Sequence, residues 1–414
     1  MLKQSNLAKR LTGELPDKVA RLIKAVGKAA ADSEYNSYLV GGFVRDLILQ
    51  RPSKDLDVMI EGDALAVARN LAHLSGPPVM HARFGTATLK SGDYRIDLAT
   101  CRSETYAKPG ALPAVKPGTI EQDLFRRDFT INAIAVRIGP RRFGDVIDLY
   151  GGHEDLDNKL VRILHNRSFT DDATRIMRAV RYEQRLGFTL EGTTARLLKR
   201  DLKMLDTISG DRLRRELILW LEEPDPGIVL KRASELGILA KFSPSLKWNT
   251  ALEKGFKCAG RITGTASPVH LYLALLAYCV GPAHFDGFIM RLNISGETAL
   301  IARQATLLRE EANLFGTGAV KPSDIYFRLR DYNVTAIAAN AIMTRSKAVH
   351  ENSFLYLAKL RHVKTRLTGD DLAKLGVPRG RKTGEILNKL LAARLDGVVK
   401  TKADEHRLAL RLIR

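Results

Sequence analysis

Asp55 and Asp57, in the stretch PSKDLDVMIEG at 52–62, stand one residue apart at the mouth of an apolar run. In a strand, residues i and i+2 point to the same face, so the two carboxylates project together while Leu56 and Val58 point to the core. Left alone they repel and raise one another's pKa, and a divalent ion relieves this by taking hard oxygen ligands from both. An isolated pair of this kind is an ordinary solvated strand end with Lys54 as a partner. This pair is not isolated. About fifteen residues upstream, YLVGGFVRDLIL joins a β-type run, a Gly41-Gly42 turn and an amphipathic helix. The glycines let the backbone approach a ligand, the helix N-terminus offers unpaired N–H groups to an anion, and Arg45 adds a fork of donors. Asp46, adjacent to Arg45, reads as its structural partner. Downstream, YRIDLAT places Asp97 between Ile96 and Leu98. If that strand adjoins the first, Asp97 completes a three-carboxylate site able to hold two Mg²⁺ ions, one to activate an attacking hydroxyl and one to stabilise a leaving pyrophosphate.

Two further clusters carry charge at useful spacing. LFRRDF holds Arg127 and Asp128, which on their own read as a surface charge cluster. DDATRIMRAVRY begins as a helix, with Thr170 as the candidate cap and an acidic first turn. Asp172 and Arg175 are at i and i+3, and Arg178 follows at i+6, along one side. The bland reading is a helical salt bridge. The sharper one is a template for a base: a carboxylate accepts from the exocyclic amine shared by cytosine and adenine, while guanidinium donors satisfy the ring nitrogen and, in cytosine, the carbonyl. Uracil and guanine offer these groups in the wrong order, and unmatched buried groups reject them strongly.

The elements that must position these residues form two regimes. Residues 36–150 alternate short β-type runs with turns (SYLVGG, DLDVMIEG, GTATLKSGDYRIDLAT, AIAVRIG, DVIDLYGG) around one helical stretch, ALAVARNLAHL. Beyond Gly152 everything reads as helix, with breaks at EEPDPG (222–227) and FGTGAVKPSD (315–324). No fixed-period repeat or low-complexity segment is present. A chain of 414 residues with 45% hydrophobic and 27% charged residues is globular and multi-domain. Its N-terminus reads as a charged amphipathic helix, and the longest apolar run, LYLALLAYCV, has about half the roughly 20 residues a bilayer span needs. A soluble, cytoplasmic protein is expected. Cys101, Cys258 and Cys279 are too far apart for a ligand cluster and read as buried small hydrophobes in a reducing compartment.

The 66 Lys and Arg against 46 Asp and Glu give +20, which points to a polyanionic partner. More than half of the excess lies in residues 316–414, with 20 basic and 9 acidic residues. That quarter is the expected electrostatic footprint.

The motifs LVGGFVRDLIL…KDLDVMIEG, RFGTATL…RIDLATCRSETY, DLFRRDFTINAIAV, DLYGGHEDLDNKLVRIL and SFTDDATRIMRAVRYEQRLGF, in that order, resemble the class II tRNA nucleotidyltransferases. These are the CCA-adding enzymes, which share a superfamily with bacterial poly(A) polymerases. The resemblance runs from about Tyr38 to Glu223 and resumes weakly at LTGDDLAKLGV. It implies an α+β chain: a polymerase-beta-like nucleotidyltransferase head with a small mixed sheet at 1–150, then an elongated all-helical neck (151–223), body (224–315) and basic tail (316–414). It further implies that Asp55, Asp57 and Asp97 hold catalytic Mg²⁺ and that Gly41, Gly42 and Arg45 hold the triphosphate. Arg127 and Asp128 would serve the nucleotide's phosphates and ribose. Asp172 and Arg175 would read the base, with Arg178 and Arg181 also on the nucleotide. The sequence departs from the family pattern at Asp171, where Glu is usual, and Ala173, where Pro is usual.

The expected activity is CCA addition to tRNA from CTP and ATP without a nucleic-acid template and without an obligate protein partner. PVMHARFGTATLKSG lacks the basic run that poly(A) polymerases carry there, and the long segment 103–124 argues against a CC-only enzyme. Addition of A alone stays open. A non-catalytic RNA-binding protein on the same scaffold is the alternative of another class, opposed by the retained acids and arginines. No adjacent His-Asp pair occurs, so no appended phosphohydrolase domain is expected. In the tail, LGVPRGRKTGEILNKLL places Arg379, Arg381 and Lys382 in a Gly/Pro loop opening a helix, a phosphate-binding arrangement suited to tRNA.

Overall fold

The computed structural model describes residues 6–105, 107, 110, 113–260, 268–311 and 320–413. The chain forms two compact units, Met1–Ile208 and Ser209–Arg414. Parts of four expectations lie outside the described residues: the first five residues of the N-terminal helix, 106, 108, 109, 111 and 112 of the long segment 103–124, 315–319 of the second break, and the boundary between 315 and 316.

In the first unit, helices α1 (Ala8–Gly13) and α2 (Asp17–Asp32) precede a seven-stranded mixed sheet. Its strands are β1 (Ser37–Val40), β2 (Asp55–Ile60), β3 (Val79–His81), β4 (Thr86–Ser91), β5 (Tyr94–Thr100), β8 (Ile134–Arg137) and β9 (Val146–Asp148). They lie in the order β3-β4-β5-β2-β1-β8-β9, and β6 (Arg102–Thr105) and β7 (Ala114–Pro117) pair as a separate hairpin. Only β2 and β5 run parallel within the large sheet. The alternation that marked these runs in sequence sorts their side chains by face. Tyr38, Val40, Met59 and Ala135 share one face with Ile120 and Leu124 of α6 (Ile120–Phe125). On the opposite side Leu39, Val58 and Ile60 are fully buried, as are Val26 of α2 and Val67 of α4 (Ala64–Asn70), which the one-turn α5 (Ala72–Ser75) follows. Thr119 and Gln122 form a reciprocal cap that fixes where α6 begins.

The stretch expected to be all helix holds one small departure. After α7 (Gly152–Asp157), the two-residue strands β10 (Leu160–Val161) and β11 (Thr189–Leu190) pair in parallel, clasping the ends of a helical segment between them. That segment is not one helix from Thr170. It is α8 (Ser168–Asp171), then Asp172 in extended conformation, then α9 (Thr174–Leu186), followed by α10 (Gly192–Asp201).

Among the described residues, the second unit is helical throughout. The apolar run noted in sequence is the helix Pro268–Val280, buried on nearly all sides, as a central helix must be. Near the C-terminus Leu367, Leu372, Val377, Ile386, Leu390 and Ala409 make a small core. Glu405, with no exposure, accepts from the Arg366 and Leu367 amides and pairs with Arg394 at 2.8 Å. Of the cysteines, Cys101 is buried and Cys279 partly so, but Cys258 is exposed, because its helix turns that position away from the core. No helix of the described residues is long and apolar enough to cross a membrane.

Candidate active site

The pairing of β2 with β5 sets Asp57 directly beside Asp97, and β4 sets Thr88 beside Asp97 on the other side. The three residues therefore form a row across three strands, on the face that α6 covers only farther along. On each strand the position two residues on, Met59 or Ala99, belongs to the core beneath α6. The same alternation that buries those side chains leaves Asp55, Asp57 and Asp97 at the uncovered end. Antiparallel pairing puts Val40 beside Asp57, so the chain leaving β1 turns at Gly41 next to the acids.

Gly41 has φ +73° and ψ −141°, which an L side chain rarely adopts. A Cβ there would stand 2.9 Å from Arg127 Nη1 and 3.4 Å from Asp57 Oδ2. Turn, arginine and carboxylate thus meet at one point. The helix that follows, α3 (Gly42–Ile48), is two turns long. Arg45 is buried beneath the turn rather than displayed in it. Its Nε and Nη2 donate to Asp46 at 2.9 Å and its Nη1 to Asn132 Oδ1 at 2.8 Å. Asp46 is the structural partner that adjacency suggested.

The three acids are not a ready-made cluster. Among the described residues no three of His, Cys, Asp and Glu stand so as to hold an ion between them. The reason is electrostatic. Asp97 accepts from Thr88 Oγ1 at 2.6 Å and from Arg95 Nε at 3.0 Å, so an arginine takes up the charge. Asp57 is open to water on one side. Burial against the protein on its other sides pushes its carboxyl up from the usual range, Arg127 lowers it, and Asp97 and Asp55 raise it further. The residues fit a divalent cation by donor type: all offer hard oxygens, and the mutual repulsion felt at Asp57 is what such an ion relieves. Asp97 has to exchange Arg95 for it.

Arg127 is held by Asp123, a fully buried acid on α6, at 2.8 Å. Arg126 donates to the same Asp123 at 2.6 Å and to Glu104 of the hairpin at 3.0 Å. Asp123 was missed in sequence, although its spacing of three and four residues from two arginines was a usable helical signal. Asp128 is buried. Burial pushes its carboxyl up, but the Arg178 charge, hydrogen bonds from Asn132 and Arg178, and the Arg175 charge outweigh that and hold it at about 2. Arg178 reaches it at 2.6 Å. Asp128 and Arg178, expected to serve a nucleotide separately, are joined to each other.

Asp172 accepts from the Thr174 amide at 2.9 Å and hydroxyl at 2.7 Å, so it caps α9 from outside the helix. Thr170 instead donates to the Arg167 carbonyl. Arg175, buried, donates to the carbonyls of Arg126 and Ser168. Arg178 remains on the same side of α9, and Arg181 lies over the Tyr182 ring. Gly41, Gly42, Arg45, Asp55, Asp57, Asp97, Arg127, Asp128, Asp172, Arg175, Arg178 and Arg181 all lie within the first unit. The structure adds Thr88, Arg95, Asp123, Asn132 and Tyr182, of which Thr88 and Asn132 meet Asp97 and Arg45 on other elements and left little local signal. In the second unit, Gly380 at φ +131° opens the helix Arg381–Leu395. Arg379 pairs with Asp370 at 2.9 Å, Arg381 pairs with Glu385 at 3.0 Å, and Lys382 is exposed.

The arrangement suits transfer of a phosphorylated group: acids for a cation, a glycine turn beside an arginine, and a helix of arginines beyond. Comparison with known proteins agrees. Residues 37–162 match the model of the poly A polymerase head domain, and residues 187–249 match that of a probable RNA and SrmB-binding site of polymerase A. The chain is 37% identical, over 96% of its length, to an A-adding tRNA nucleotidyltransferase of Geobacter sulfurreducens, and spans 47% of that relative. It is 27% identical to a CC-adding tRNA nucleotidyltransferase of the same organism, over 96% of this chain and 95% of that one. To the CC-adding tRNA nucleotidyltransferase of Deinococcus radiodurans it is 32% identical, over 93% of this chain and 90% of that one. Among solved structures, a Thermotoga maritima CCA-adding enzyme complexed with tRNA superposes with a TM-score of 0.79 at 28% identity, all of each chain being covered.

Proposed function

From the premise that the chain belongs to the class II tRNA nucleotidyltransferases, of the tRNA nucleotidyltransferase and poly(A) polymerase family, we propose that it adds the terminal A to tRNA ending in CC, using ATP and releasing pyrophosphate. The observation that carries nucleotidyl transfer is the meeting of Asp57, Asp97, Gly41 and Arg127 at one end of the sheet. The choice of A within the wider CCA reaction rests on a matched pair: against two enzymes of one organism, identity is 37% to the A-adding and 27% to the CC-adding one. The long segment between the catalytic motifs opposes a CC-only activity and is shared ground for A addition and full CCA addition. Full CCA addition is the second reading, favoured by the likeness to a solved CCA-adding enzyme.

Asp55, Asp57 and Asp97 would hold Mg²⁺, which when bound lowers the pKa of the attacking tRNA 3′-hydroxyl and neutralises charge on the leaving pyrophosphate. The chain's own residues do the positioning. The turn at Gly41 lets backbone approach the triphosphate, and Arg127, anchored by Asp123, offers donors to its oxygens. Asp172 and Arg175 face the base from the start of α9, their orientation fixed by the Thr174 cap and the carbonyls of Arg126 and Ser168. The basic tail would hold tRNA by its phosphates.

The test is incubation of purified protein with tRNA ending before CCA, before CA and before A, with each labelled triphosphate. AMP joins only the last substrate if the reading is right. CMP incorporation onto tRNA lacking CCA, followed by AMP, indicates full CCA addition, CMP without AMP indicates CC addition, and a growing A tail indicates poly(A) synthesis. Tight tRNA binding with no transfer returns the chain to the RNA-binding class.

A further inference from the structure

Five side chains from three separate segments close a circuit behind the candidate nucleotide site. Arg45 Nη1 donates to Asn132 Oδ1 at 2.8 Å, and Asn132 Nδ2 donates to Asp128 Oδ1 at 3.0 Å. Arg178 donates to Asp128 Oδ2 from Nε at 2.9 Å and from Nη2 at 2.6 Å. The same Nη2 stands 3.4 Å from the Tyr182 hydroxyl, and the Arg178 guanidinium lies 5.5 Å from the Tyr182 ring centroid. Arg45 lies 5.2 Å from that centroid and closes the loop. Arg181 is a third guanidinium at 5.2 Å, and Phe129 packs edge-on at 5.7 Å.

Three guanidinium groups repel one another. Asp46 pairs with Arg45 and Asp128 with Arg178, and the ring's negative faces give all three guanidinium groups a common attractor. The contact of Tyr182, on α9, with Arg45, on α3, thus joins the helix that carries the base-facing residues to the one that follows the glycine turn. A nucleotide gripped at its phosphates by the first and at its base by the second is measured against the distance between them. We propose that Tyr182 is a positioning residue for nucleotide selection, its ring face fixing the separation of Arg45 from Arg178 so that a base of the right hydrogen-bonding order meets α9 while the phosphates rest at the Gly41 turn. This rests on the proposed function in one respect, the placement of phosphates at the turn and base at α9.

The idea separates ring from hydroxyl and selection from folding. Tyr182→Phe keeps the face and loses the 3.4 Å contact, whereas Tyr182→Leu keeps apolar bulk and loses the face. Binding of ATP and of GTP to the full chain is measured by titration calorimetry in Mg²⁺, beside thermal unfolding and the tRNA assay. For Tyr182→Phe the expected dissociation constants stay within about twofold of the wild type. For Tyr182→Leu, ATP binding weakens about tenfold and GTP binding much less, so the preference for ATP shrinks about fivefold while the unfolding midpoint holds. An unchanged ATP to GTP ratio in Tyr182→Leu overturns the proposal, even where its unfolding midpoint falls, as it would for a residue that only packs. Equal damage in both variants overturns it too, since the hydroxyl and not the face would then be responsible. So does a wild type with no preference for ATP. A wild type that selects ATP yet transfers nothing to tRNA defeats the functional reading alone, because the binding ratios still decide the role of Tyr182.

Discussion

Burial pushes the Asp57 carboxyl up, Arg127 draws it back, and Asp97 and Asp55 push it up again, so the folded chain resists ionising the residue best placed for chemistry. A group held against its own charge destabilises the fold at neutral pH, and removing the charge relieves it. Asp57→Asn is therefore expected to raise the metal-free unfolding midpoint by roughly 1–3 °C while abolishing nucleotide transfer. A midpoint that falls would mean the carboxylate is a structural partner of Arg127. Asp128 is the opposite case. Its carboxyl is buried but held down at about 2 against an ordinary 3.8, because Arg178, Asn132 and Arg175 outweigh the burial. For a depressed carboxyl the stabilisation is complete above the unfolded value and disappears as pH falls through the folded one. The window is thus about pH 4 down to about 2, and the amount at neutral pH is roughly 2 kcal/mol. Acid unfolding of the wild type and of Asp128→Asn should converge at the bottom of that window and diverge above it. Parallel curves throughout would assign the stability to other groups.

One element does more for the site than its length suggests: the turn between β1 and α3. Gly41 sits in a conformation that is nearly glycine's alone, with Arg127 and Asp57 where a side chain would begin. Gly41→Ala should cost roughly 1–3 kcal/mol in stability from backbone strain, and should cost more in activity than that destabilisation explains, because the methyl displaces Arg127. Denaturant unfolding beside nucleotide-binding measurements tests both halves. A variant that loses stability but binds ATP normally would leave the turn as mere scaffolding. This turn was legible in the sequence because its signal is local: two glycines between an apolar run and a helical one. The strands of the sheet were legible for the same reason, by alternation. Their order was not, since the parallel pairing that sets Asp57 beside Asp97 joins segments separated by a crossover, and nothing within either strand names its neighbour. The helix start at α9 was misread because SFTDDATR holds several capping residues in succession, and tertiary packing chose Asp172 over Thr170. Arg95 shows a further limit. Its residue type was visible, but that it would occupy the oxygens of Asp97 depends on how the strand's exposed face resolves its own repulsion.

At the scale of the whole chain, the charge of +20 is unevenly spread, and the C-terminal quarter holds more than half of the excess. Such a surface draws any nucleic acid by counterion release, so its contribution is read from the salt dependence of binding rather than from a single affinity. Arg379, Arg381 and Lys382 cluster where a helix opens after Gly380, and the ion pairs of Arg379 and Arg381 are at the surface, with both arginines more than four-fifths exposed. Pairs of that kind contribute little and are readily exchanged for phosphate. Replacing all three by Ala should weaken tRNA binding about 10–100-fold at low salt and reduce the slope of log affinity against log salt by about 2 to 3. Turnover at saturating tRNA and the affinity for ATP should be unchanged, since the residues proposed to face the nucleotide all belong to the other unit. The same loss across tRNAs of different sequence is expected for contacts that read backbone and shape, whereas a loss confined to one tRNA would mean that these residues meet bases. An unaltered salt slope would move the phosphate contacts elsewhere on the basic surface and leave this loop an ordinary charged turn.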